Sequence, residues 1–149
     1  VKKFAFPLSR VMSWRQTLAQ VEEGKLQILY AELGAIESKE AAIRAERERS
    51  EKAVLAANSV TGFELATLDA FRRFAVAEHT RLEQRRADCA KRIVAQVQVV
   101  AHKRRDVRLL KHLRDNRLKT WKRALDREVD MQADEAYLSR WNRQSASNR

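Results

Sequence analysis

Apolar residues recur in steps of three and four at Leu8, Met12, Ala19, Leu26, Leu29, Leu33, Ile36, Ile43, Val54 and Ala57. This spacing lines one face of an α-helix. Glu40, Arg47 and Ser50 interrupt the seam. The predicted helix begins near Pro7, whose missing N–H and fixed φ are harmless in a first turn, and runs to about Ala57. A second stripe passes through Leu68, Ala75, Leu82, Cys89, Ile93, Val97, Val100, Val107, Leu110, Leu118, Trp121, Leu125 and Leu138. It predicts a second helix from about Phe63 to Trp141, with Arg86, Gln96, Lys103 and Arg114 as polar interruptions. Heptad spacing holds only in stretches, so the expected coiled coil is loosely specified.

Between the stripes lies Asn58-Ser59-Val60-Thr61-Gly62, small and polar, with Asn58 suited to ending a helix. Thr61 and Glu64 stand at capping-box spacing, and Val60 and Leu65 at that of a hydrophobic staple. A turn this short forces its two helices antiparallel. The expected fold is all-α: one long two-helix antiparallel coiled-coil hairpin spanning 1–149, with the turn at about 58–62. Folding about Val60 sets Leu8 opposite Leu113, which leaves roughly 30 residues of the second helix, about 45 Å, as an unpaired C-terminal overhang.

Composition strengthens the helical reading. Gly occurs three times and Pro once, and most positions hold residues that lose little on entering a helix. Gly24 and Gly34 each cost about 1 kcal/mol relative to Ala, so the first helix depends on its partner. No apolar run is long enough to cross a bilayer, and the charged N-terminus lacks a signal-peptide core, so the expected compartment is the cytosol. Cys89, the only cysteine, reads as a small buried hydrophobe.

The net charge of +11 is unevenly distributed. Leu8–Asn58 balances eight Lys/Arg with eight Asp/Glu, whereas Arg81–Arg127 holds sixteen against five. Such a field attracts nucleic acid, anionic lipid or acidic protein, and charge alone does not choose. Lys103-Arg104-Arg105 and Lys119, Lys122, Arg123 could meet phosphates. However, no aromatic platform, helix-turn-helix or basic-zipper pattern accompanies them, and a solvated or protein-facing basic helix is the favoured reading.

His79, His102 and His112 lack the i, i+3 or i, i+4 spacing of paired metal ligands, and no phosphate loop, nucleophile elbow or Cys pair is present. A two-helix structure offers no dry concavity for converging groups. The expectation is a protein that is not an enzyme, with no cofactor, metal or small-molecule substrate.

The termini carry a resemblance. Phe4-x-Phe6-x-Leu8-x-x-Val11-x-x-x-Arg15 resembles the start of the flagellar export protein FliJ family. Leu110-Lys111-His112-Leu113 is similar to that family's Leu-x-x-Leu stretch, and Asp134-Glu135-Ala136 with Arg140 and Arg143 to its C-terminal acidic pair. Glu128 stands one residue out of the family's usual register and carries no role over. The resemblance implies a component of a type III export apparatus at the cytoplasmic face of the inner membrane, serving flagellum assembly and motility. Family members are similar to the central stalk of rotary ATPases. Their joined termini enter a hexameric export ATPase, and they contact the export gate membrane protein and export chaperones.

On this reading the ring contact comprises Phe4, Phe6, Leu8, Arg15, Leu110, Leu113, Arg117, Leu118, Trp121, Lys122, Arg123, Leu125, Asp134 and Glu135. Phe63, Leu65, Leu68, Phe71 and Phe74 cluster after the turn, where tip packing and a binding patch are both open readings; Leu68, Phe71 and Phe74 are the candidate gate contact. The alternatives are an injectisome stalk, or a basic coiled-coil nucleic-acid or envelope adaptor.

Overall fold

The computed structural model describes residues 2–147, with side chains through Arg143. It holds two helices, α1 (Ser9–Ala56) and α2 (Gly62–Ser147), which pack against each other as an all-α hairpin. Pro7 lies ahead of α1 rather than in its first turn: the Ser9 N–H donates to the Phe6 carbonyl (3.1 Å) and the Met12 N–H to the Leu8 carbonyl (2.8 Å), which makes Leu8 the cap. α2 continues past the expected end near Trp141.

The residues divide into two units. Ala19–His102 forms one; residues up to Leu18 and from Lys103 onward form the other. In the Ala19–His102 unit the core is a cluster of Leu29, Ile36, Leu82, Cys89 and Ile93, with Leu26, Leu33 and Ile43 packed against it. Cys89 is 1% exposed and its thiol approaches the Leu29 carbonyl at 3.4 Å, so it is the buried small hydrophobe that its position suggests.

Ion pairs trace the antiparallel register of this unit. Glu51 meets Arg72 (3.0 Å), Lys39 meets Glu78 (2.8 Å), Glu37 meets Arg86 (3.3 Å) and Glu32 meets Arg92 (3.1 Å), each pair nearly equidistant from the turn at Val60. Exposed pairs of this kind add little stability; they mark the register that the apolar seam holds.

The seam departs from the expected one in detail. Gln96, read as an interruption, is a half-buried seam residue whose amide donates to the Glu22 carbonyl (3.0 Å) and carboxylate (2.6 Å). Its neighbour Val97, expected on the stripe, is 38% exposed. Leu138 is likewise 57% exposed and off the seam. A list of apolar residues cannot register that Gln96 has a partner waiting while Val97 is turned aside.

The α2 start is the capping box that its sequence indicates. The Thr61 N–H donates to the Glu64 carboxylate (2.7 Å), the Glu64 N–H to the Thr61 hydroxyl (3.2 Å), and the Leu65 N–H to the Thr61 carbonyl (3.2 Å). Of the two staple residues, Leu65 is 52% exposed and Val60 lines a cleft with Ala53, Val54 and Ala57.

Candidate partner-binding surfaces

In the unit that contains both ends of the chain, residues 2–8 precede α1 as a non-helical strap along α2. Alternating aromatic and small or polar residues (Phe4-Ala5-Phe6) let an extended segment present its rings to one side. Phe6 is buried at 8% exposure, with the Arg117 guanidinium 6.0 Å from its ring centroid. Phe4 meets Trp121 at 5.9 Å between centroids, and the Trp121 indole N–H donates to the Lys2 carbonyl at 2.8 Å.

These contacts correct the expected overhang. The stripe of α2 does not lose its intramolecular partner after Leu113, because the strap replaces α1 as far as Trp121. Counting helical residues missed this cover, since an extended chain advances about twice as far per residue as a helix. Beyond the strap, Leu125 is half-buried, while Val129 and Met131 are 56% and 63% exposed.

Among the other residues expected at this surface, Leu8, Leu110 and Leu118 are half-buried, whereas Leu113 is 38% exposed. Arg15 is engaged at home: it pairs with Asp106 at 3.2 Å and lies over the Trp14 ring at 5.2 Å. Arg117, Lys122, Arg123, Asp134 and Glu135 are exposed. The structure thus gathers Phe4, Phe6, Arg117 and Trp121 into one cluster. Trp14, 57% exposed with the Arg15 guanidinium over its ring, falls off the apolar stripe, so periodicity does not single it out.

The second surface lies in the Ala19–His102 unit, beside the turn. Phe71 and Phe74 meet at 6.2 Å between centroids; Leu68 and Phe71 are half-buried, and Phe63 and Phe74 are 81% and 55% exposed. Leu68, Phe71 and Phe63 line an open cleft of about 390 Å³ with Val54, Ser50 and Glu46. Part of the aromatic group therefore closes the hairpin, and Phe63 and Phe74 present rings to water.

Among the described residues, no three His, Cys, Asp or Glu side chains gather as metal ligands would, and no helix is long and apolar enough to cross a membrane. His79 sits 3.5 Å from the Glu83 carboxylate and is exposed, as are His102 and His112. Comparison with protein-family models, curated proteins and solved structures returns no match.

Proposed function

We propose that this chain is a non-enzymatic stalk of the bacterial flagellar type III export apparatus, at the cytoplasmic face of the inner membrane. Its strap and the outgoing part of α2 enter the hexameric export ATPase; the cluster beside the turn touches the export gate. The observation that carries this reading is the gathering of both ends of the chain into one unit, where an aromatic strap braces α2 and the helix then continues past the exposed Lys122 and Arg123 into a mainly acidic stretch with exposed apolar side chains. A braced helix end loses less conformational freedom on entering a ring than a frayed one would. Lys122 and Arg123, on the rim, set the rate of approach, while a buried anchor at Leu125 sets how long the complex lasts. Export chaperones are the third partner class that the sequence resemblance implies.

The experiment is stimulation of purified export ATPase by the full chain and by a chain cut after Arg123. Cutting earlier, after Arg114, would also remove the seat of Phe4 and Phe6 and so confound the result. The shortened chain should keep its helicity and lose stimulation. Full stimulation by it would overturn the ring assignment. For the gate, Phe74→Ala should weaken binding of the gate's cytoplasmic domain without altering the melting transition.

A further inference from the structure

The outgoing part of α2 carries a change of charge sign that the stalk reading leaves without a role, although it uses some of the residues on either side of the change. Residues 103–123 contain ten Lys/Arg against two Asp, and residues 124–135 contain five Asp/Glu against one Arg. One helix therefore changes sign along its length just where its apolar face leaves the cover of the strap, with Val129 more than half exposed.

We infer that this stretch docks on the same stretch of a second copy of the chain, antiparallel, about a two-fold axis near Leu125. The sign change selects the orientation. Two copies laid parallel would set basic on basic and acidic on acidic, whereas antiparallel copies set each block on its opposite.

Helix geometry then gives a register. At about 100° per residue, Leu125 lies between two flanks of the seam, with Lys122 and Asp126 on one flank and Arg117 and Glu135 on the other. In a two-fold antiparallel pair each flank faces its own copy. With Leu125 on the axis, Lys122 comes opposite the second copy's Asp126 and Arg117 opposite its Glu135, while Val129 comes to the open edge of Trp121. Both charge pairs are complementary in the same register, although neither was used to choose the axis residue. The charge pairs reach over about six helical turns, roughly 30 Å, but the strap lies on Trp121, so the apolar contact is confined to Leu125, Val129 and the edge of Trp121; association is therefore weak and sensitive to salt. The dimer uses Leu125 and Lys122, which the stalk reading gives to the ring, so the two contacts exclude each other on one copy; the assay needs only this chain, and its outcome does not depend on the ring.

The test is sedimentation equilibrium of the full chain and of two charge-reversed variants, Lys122→Glu/Arg117→Glu and Asp126→Lys/Glu135→Lys. The unaltered chain should dimerise, with Kd rising roughly tenfold or more between low and high salt. Each variant alone should be monomeric, and an equimolar mixture should restore a dimer containing one of each. All four side chains are exposed or outside the buried core, so helicity should be retained. Independently, Leu125→Cys should give a covalent dimer when treated with oxidised glutathione, whereas Leu109→Cys, at a site 59% exposed off this face, should not; Cys89 is too buried to interfere. A chain that stays monomeric at every concentration, a dimer that neither reversal weakens, or a mixture that fails to recombine would overturn the inference.

Discussion

Glu40 occupies a seam position of α1, and its Oε1 is shielded from water without a hydrogen-bond donor. It borders a cleft of about 180 Å³ with Ile43, Arg44, Arg47, Ala75, His79 and Leu82. Arg47 donates to Glu51 at 3.1 Å and His79 faces Glu83, while Arg44, one turn along α1, lines the cleft without a hydrogen bond to Glu40. A carboxylate oxygen left without a donor forfeits the hydration that it had in the unfolded chain. Glu40→Leu should therefore stabilise the hairpin by about 1–3 kcal/mol, read as a higher urea midpoint at unchanged slope. A lower midpoint would mean that the carboxylate is satisfied in solution. From sequence alone Glu40 is visible as an interruption; its lack of a donor is not, because that depends on which acid each neighbouring base prefers.

At the level of elements, the turn between the helices and the start of α2 were the most legible features, and the reason is local. Thr61 and Glu64 satisfy orphan N–H groups through contacts within four residues, so spacing alone specifies them. The seam was legible where apolar side chains fill it, at Leu29, Ile36, Leu82 and Cys89, and illegible where a polar residue takes a seam position through a cross-helix bond, as Gln96 does. The same local bonds make stability depend on pH. The Glu64 carboxyl lies below the ordinary carboxylate value of 4.5 because the Thr61 backbone N–H and then its hydroxyl bond the charged form. A hydrogen bond from Arg47 does most to hold Glu51 down, followed after the opposing effect of desolvation by one from Arg72, and a hydrogen bond from Lys39 outweighs desolvation at Glu78. A depressed folded pKa gives stability that is complete above the unfolded value and lost as pH falls through the folded one. The thermal midpoint should be level above about pH 5 and decline toward about pH 3. Glu64→Gln, which keeps an acceptor for the Thr61 N–H but cannot titrate there, should make that decline shallower. An equally steep decline in the variant would remove the cap from the account.

For the molecule as a whole, the candidate surface was only half legible. The aromatic residues at the N-terminus and Trp121 both stood out in the sequence, but as members of one exposed end rather than as partners of each other. Their pairing depends on the extended backbone between Lys2 and Leu8, which no helical periodicity reports. Several consequences meet at this strap. It buries Phe6, keeps the upper part of the α2 stripe from water, and sets where the exposed face begins. Its hold is small in area, since Phe6 is its one buried side chain and Phe4 is half-buried, so release should be a local event on the order of 2–3 kcal/mol rather than a global unfolding. With Trp14 and Trp141 replaced by Phe, emission comes from Trp121 alone. Phe4→Ala with Phe6→Ala should then shift that emission to the red, while the helical signal at 222 nm changes little, because neither residue lies in a helix. The same variant should also associate more strongly with itself, since Leu118 and Trp121 would join the exposed face. Unchanged emission would show that the strap does not cover Trp121 in solution, and a collapse of helicity would show that it holds far more of the molecule together than its contacts account for.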